Sequence, residues 1–173
     1  MKRYFTVTIL AMSFASDAAD ISQYAGQEQR QIKSMSEQEI AALSRGDGMG
    51  FAKAAELNQY PGPKHVLELA GELGLSAEQA LQTRKLFQGM QAAAVDLGER
   101  LIAAEAELDG MFATGTIDHQ TLEDQLVLIS ELRSKLRFVH LDAHLQQKKL
   151  LSQHQIEQYV TLRGYHAGHG EHH

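Results

Sequence analysis

The stretch LFQGMQAAAVDLGERLIAAEAELDGM, residues 86–111, decides the fold of this chain of 173 residues. Its apolar residues are separated by threes and fours, which is the spacing of one side of an α-helix that packs against a partner. These residues are Leu86, Met90, Ala93, Leu97, Leu101, Ala104, Leu108 and Met111. No proline interrupts the pattern before ATG at 113–115. It therefore predicts one helix over residues 77–114, roughly 57 Å long at about 1.5 Å per residue.

A second long helix is predicted over residues 119–150. The segment GTID at 115–118 turns the chain, and Asp118 is a suitable N-terminal cap. The apolar residues that follow recur about every 3.5 positions, the mark of helix-on-helix packing. They are Leu122, Leu126, Ile129, Leu132, Leu136, Val139 and Ala143. The sequence therefore predicts an all-α fold built on a long antiparallel helical hairpin.

Short helices are expected to flank the hairpin, because the remaining sequence is broken at the run RGDGMG (45–50) and the turn PGP (61–63). The predicted short helices cover residues 37–44, 51–60, 64–74 and 152–164. RGDGMG follows no strand and precedes no GK[ST], so it does not predict a nucleotide site.

The second long helix is apolar on two sides. Val127, Phe138, Leu141 and Leu145 lie nearly opposite the hairpin seam at about 100° per residue. A helix of this kind needs two partners. The second is a short helix of the same chain, a second copy of the chain or a bound molecule, and we expect the second copy. Acidic residues concentrate in 96–124 and basic residues in 133–149. This charge pattern indicates either ion pairs between the two helices of the hairpin or a basic border beside the second apolar side of the helix.

The N-terminal segment MKRYFTVTILAMSFASDAAD, residues 1–20, is typical of a signal peptide. Lys2 and Arg3 precede an apolar run over 4–15 and then small residues; a short buried helix is the alternative. We expect export to the periplasm and no transmembrane segment, since the run is too short to span a bilayer. The predicted units are a signal peptide (1–18), a flexible arm (19–34), a helical domain (35–164) and a His-rich tail (165–173).

The pentapeptide LSAEQ at 75–79 recurs as LSQHQ at 151–155. In each copy a serine precedes a glutamine by three positions, which is the pattern of a capping box at a helix start. With Ser in place of Thr, both copies resemble the motif of the Spy/CpxP family of LTxxQ proteins over about residues 60–165. The resemblance implies a cradle-like homodimer without enzymatic activity.

The resemblance implies two classes of function. Chaperone members bind unfolded clients without ATP or restrain an envelope sensor kinase, whereas ZraP/CnrX members bind zinc, nickel or cobalt through histidines. The leading interpretation is a periplasmic chaperone or envelope-stress modulator, with unfolded proteins or an envelope sensor as partners. The alternative is a heavy-metal sensor or resistance protein. Neither requires a cofactor, although Zn, Ni, Co or Cu is a candidate ligand.

Histidines are the candidate metal ligands. His140 and His144 are four residues apart in VHLDAHL and therefore share one helix face, and His65 is a candidate third ligand. The alternative is that the pair is solvated beside the seam. The tail GYHAGHGEHH (164–173) predicts weak Zn²⁺, Ni²⁺ or Cu²⁺ binding, or else only incidental affinity or a tag remnant. Its histidines are His166, His169, His172 and His173.

Composition excludes several other classes. A net charge of −6 argues against nucleic acid as a partner, and the absence of cysteine excludes thiolate sites. No grouping of nucleophile, base and acid can be identified, so no catalytic residue is predicted. Any histidine site should lose metal as the pH falls through about 6.5, where free imidazole gains its proton.

Overall fold

The computed structural model describes residues 22–165, which form six α-helices and a short 3-10 helix at Gln27–Gln29. The α-helices are α1 (Glu37–Ser44), α2 (Lys53–Glu56), α3 (Pro63–Glu68), α4 (Ala77–Thr114), α5 (His119–Leu150) and α6 (Gln153–Leu162). The all-α class and the long antiparallel pair α4–α5 are confirmed. The predicted signal peptide and the tail histidines His166, His169, His172 and His173 lie outside the described residues.

The ends of the long helices are set by local hydrogen bonds. Ser76 Oγ accepts from the Gln79 N–H at 3.1 Å, which closes the capping box that the sequence predicts at the start of α4. Asp118 caps α5 in the same way, accepting from the Thr121 N–H at 2.8 Å. Between them, Gly115 ends α4 in the left-handed conformation with φ 68°.

The hairpin core is apolar through most of its length. Leu101 of α4 and Leu132 and Leu136 of α5 are almost completely buried in it. Near the end of the hairpin the predicted seam is wrong at Leu126, which is 46% exposed. Gln125 occupies the buried position between the two helices instead and donates to the Ala104 carbonyl at 2.7 Å. The spacing from Ile129 allows either residue, because steps of three and four both approximate the period of 3.6.

The helix α1 and the segment before it cover one side of the hairpin. α1 approaches α4 at Gly98, where an added Cβ would lie 2.5 Å from the Leu43 carbonyl oxygen. Ile32 and Met35 are buried in the same core. Lys33 Nζ lies 3.0 Å from an oxygen of Asp109. The segment predicted as a flexible arm therefore supplies Ile32 to the core, a contribution that its polar composition does not indicate.

The two copies of the pentapeptide lie in contact. Gln79 Nε2 donates to Gln155 Oε1 at 2.9 Å, and Gln155 Nε2 donates to Gln79 Oε1 at 3.2 Å. Each amide also donates to a main-chain carbonyl, that of Leu150 for Gln79 and that of Leu73 for Gln155. The recurrence of the motif is thus a structural device that joins the start of α4 to the start of α6.

A second apolar cluster lies beneath α6. Ile156 and Tyr159 of α6 pack with Val66 of α3 and with Leu73 and Leu151. This packing places α3, the turn before it and α6 at the end of the hairpin that is distant from Gly115.

Charge pairing across the hairpin is limited to one contact within the described residues. Arg133 of α5 lies 2.6 Å from Glu105 of α4, whose side chain is 9% exposed. Two further ion pairs, Arg100–Asp96 and Lys135–Glu131, each lie within one of the long helices. Lys148 of α5 lies over the ring of Tyr60, 3.8 Å from its centre. Within the described residues, Arg137 and Lys149 of α5 are therefore left for the solvent or for a ligand. Over residues 22–165, no helix has the length and apolar character needed to cross a membrane.

Candidate functional sites on two sides of the hairpin

One side of the hairpin holds a cavity of about 570 Å³ between the long helices and residues 46–65. We call it the histidine cavity because all three candidate histidines that the structure describes line it. The lining residues that matter for its chemistry are Met49, Glu56, His65, Met90, His140 and His144. The fold thus brings His65 of α3 to the same cavity as the α5 pair.

His144 is held in a defined orientation. Its Nδ1 lies 2.7 Å from the carbonyl oxygen of Tyr60, and its side chain is 11% exposed. A carbonyl only accepts, so Nδ1 carries the proton and Nε2 is left as the basic nitrogen. A metal-binding histidine commonly has this support, which fixes both the tautomer and the ring plane. Gly62 keeps the approach open, because a Cβ there would lie 3.0 Å from His144 Nε2.

His140 is more deeply buried, at 3% exposure. Its ring stacks on Phe51 with the centroids 5.8 Å apart, and its Nε2 is buried without a hydrogen-bond partner. Burial and the neighbouring His144 lower the pKa of His140, against a smaller opposing effect of Asp47. The imidazole is therefore neutral at neutral pH, the form that a metal ion requires.

The alternative of two solvated histidines is therefore wrong. Both rings project from the side of α5 that the residues around Tyr60 and Phe51 cover. Helical spacing placed the pair on one face, but only the packing of the short segments determines that this face is enclosed.

Glu56 is a residue of this site that the sequence does not single out. Its Oε1 accepts from the hydroxyls of Tyr159 at 2.6 Å and Tyr165 at 2.8 Å. Its Oε2 is buried without a hydrogen bond and lies 3.7 Å from His144 Nδ1. Burial, followed by the bond to Glu56, raises the pKa of Tyr159. A glutamate in a four-residue helix shows no sequence pattern, so its contacts with Tyr159, Tyr165 and His144 could not be predicted.

His65 is the most accessible of the three histidines. Its side chain is 34% exposed, and its Nδ1 lies 2.7 Å from Glu68 Oε2. Between residues 22 and 165, no three side chains of the types His, Cys, Asp and Glu are close enough together to hold a metal ion. Binding through His65, His140 and His144 stays a prediction that requires a movement of α3 or another kind of ligand.

The other side of the hairpin carries an open groove of about 940 Å³ between α4 and α5. Phe138 lies in it, about 160° around α5 from His140 at about 100° per residue. Its remaining lining includes Lys85, Leu86, Met90, Val139, Lys149 and Leu150. We call this surface the α4–α5 groove.

The second apolar face of α5 is uncovered except at Leu141, which is half-buried. Phe138 is 65% exposed, Val127 54% and Leu145 48%, and the short helices of the same chain do not shield them. Large apolar side chains that lie together on a surface commonly mark a binding site. A second copy of the chain is one candidate for this face, and it stays a prediction.

No protein-family model, curated protein or solved structure matches this chain. The α4–α5 groove and the histidine cavity are therefore the features from which a function can be inferred.

Proposed function

We propose that the chain is a periplasmic chaperone of the Spy/CpxP type that binds unfolded polypeptide without ATP. The observation that supports it best is the open α4–α5 groove, which has a mixed polar and apolar lining and contains the highly exposed Phe138. An envelope sensor protein is the alternative partner for the same surface, in which case the chain acts as a stress modulator. The paired LSAEQ and LSQHQ motifs support the family assignment.

The chemistry of the groove suits an unfolded chain. Leu86, Met90 and Phe138 offer adaptable apolar contact to the side chains that a folded protein would bury. Lys85 and Lys149 border the groove and would attract acidic segments from solution. A groove that is open along the hairpin imposes no particular sequence on its ligand, as a chaperone requires.

The family resemblance also implies a homodimer. Leu126, Val127 and Leu128, at the end of α5 that is remote from the groove, are 46%, 54% and 40% exposed. They are candidates for the contact with a second copy. This arrangement would leave Phe138 free for the client.

We expect Phe138→Asp to weaken suppression of client aggregation about tenfold or more, because an aromatic side chain that becomes buried on binding commonly dominates a binding surface. The assay follows light scattering of a reduced client at near-stoichiometric ratios without nucleotide. Phe112→Asp is the matched control, since Phe112 is 59% exposed but lies outside the groove.

Sedimentation of both variants separates client binding from dimerisation. If Phe138→Asp suppresses client aggregation as well as the parent does and has the same oligomeric state, the groove is not the client-binding site. If the parent protein does not suppress client aggregation, the proposed chaperone function is wrong.

A second candidate function is metal binding, as in the ZraP/CnrX branch. The observation that favours it is the oriented and enclosed pair His140 and His144. His65 lines the same cavity and is a candidate for the third position after leaving Glu68. Signalling of metal levels would then require that binding alters the packing of residues 46–65 on the hairpin.

We expect Zn²⁺ or Ni²⁺ at about 100 times its Kd to raise the Tm by about 5–10 °C in a full-length variant with the four tail histidines replaced by alanine. His144→Ala should abolish this rise, because it removes the oriented imidazole. His154→Ala is the control, since His154 is exposed on α6. A metal-induced rise that survives His144→Ala would place the ion elsewhere.

A further inference from the structure

We propose that the histidine cavity is a site for monovalent copper, Cu(I), held by the thioethers of Met49 and Met90 together with His140 and His144. This inference rests on the metal-binding candidate function and specifies its ion. The four side chains come from the loop at 46–50 and from both long helices, and all of them line one cavity.

Met49 has an unusual backbone conformation. Its φ is +43°, in the left-handed region that side chains with a Cβ rarely adopt, although glycines flank it on both sides. The residue is 44% exposed, so packing in the apolar core does not explain its position. Backbone strain of this kind concentrates at functional sites. A thioether held in this way at the cavity is well placed to bind a ligand.

Met90 supplies the second sulfur. It is half-buried on α4 and lines both the histidine cavity and the α4–α5 groove. A side chain with three rotatable bonds can turn its sulfur towards either space. Metal binding by Met90 would therefore also change the floor of the groove.

Each of the two histidines has a ring nitrogen that a metal ion could bind. His140 Nε2 is buried without a partner, and a buried polar nitrogen in that state calls for a ligand. In His144, the Nδ1 proton is committed to the Tyr60 carbonyl, which leaves Nε2 basic.

The mixture of ligands selects the ion. Thioether sulfur is a soft ligand that favours Cu(I), whereas zinc, nickel and cobalt prefer imidazole, carboxylate or thiolate. The carboxylate nearest to the histidines, Glu56, accepts from the hydroxyls of Tyr159 and Tyr165 at Oε1. Its Oε2 lies 3.7 Å from Nδ1 of His144, the nitrogen that donates to the Tyr60 carbonyl. The chain has no cysteine that could compete for the ion.

The absence of cysteine makes the test direct, because any copper–sulfur contact must come from methionine. The full-length chain is loaded anaerobically with one equivalent of Cu(I) in the presence of ascorbate, and X-ray absorption is recorded. We expect sulfur scattering in the parent and its loss in the double variant Met49→Leu/Met90→Leu. The Cu(I) affinity, measured against a chromogenic chelator, should fall at least tenfold in each single variant.

Met111→Leu is the control, since Met111 lies near the other end of α4 and outside the cavity. Leucine nearly conserves the volume of methionine, so the variants should fold as the parent does. Copper bound by nitrogen alone, or sulfur scattering unchanged in the double variant, would overturn the inference. If that result accompanies a Zn²⁺-induced rise in Tm that depends on His144, metal binding stands and only the choice of copper fails.

Discussion

Gly98→Ala is expected to lower the free energy of unfolding by about 3 kcal/mol, although alanine is the better helix former. The added Cβ would lie 2.5 Å from the Leu43 carbonyl oxygen and 3.0 Å from its carbon. Both atoms belong to the main chain, so no rotation of a side chain relieves the contact. α1 must move away from α4, which opens the core around Leu43 and Ala94.

Gly89→Ala is the matched control within the same helix. Apart from its chain neighbours and the adjoining helix backbone, no atom lies within 4 Å of its ideal Cβ. The substitution should therefore stabilise the protein by about 0.5–1 kcal/mol, because alanine loses less backbone entropy on folding. Urea unfolding of the two variants should thus give shifts of opposite sign. A neutral Gly98→Ala would mean that α1 does not pack on α4 as closely as described.

The hairpin could be predicted from sequence because its signals are local and repeated. The long helices show apolar spacing over many turns, and their ends have a capping serine, a capping aspartate and a left-handed glycine. The structure places both helices over the predicted residues. Each signal is contained in a few neighbouring residues, so tertiary contacts are not needed to interpret it.

The candidate sites could be predicted only in part, since they depend on distant residues. Spacing put His140 and His144 on one face, but their burial depends on the path of residues 46–65. Glu56 is held at the site by hydrogen bonds from the hydroxyls of Tyr159 in α6 and of Tyr165 beyond it. Neither this contact nor the approach of Gly98 to Leu43 has any pattern along the chain. Contacts between polar groups that are far apart along the chain could therefore not be predicted from the sequence.

The pairing of the two pentapeptides should be the second large contribution to stability. Replacing Gln79 or Gln155 by methionine is expected to lower the free energy of unfolding by about 2–3 kcal/mol. Each substitution removes the amide that bonds to the other glutamine, to a main-chain carbonyl and to the N–H of its own serine cap. Apart from the bond of the Ser76 N–H, which is exposed, the hydrogen bonds that are lost are partly or fully buried.

A double-mutant cycle measures whether the two motifs act as a unit. With both glutamines replaced, the loss should be smaller than the sum of the single losses by about 1 kcal/mol or more, because the bonds between them are already broken in either single variant. Gln153→Met, at an exposed position of α6, should change stability by no more than about 0.5 kcal/mol. Strictly additive losses would show that each glutamine serves only its own cap. Coupling would show that the repetition of LSAEQ as LSQHQ joins the start of α4 to the start of α6, so that the last helix folds together with the first long one.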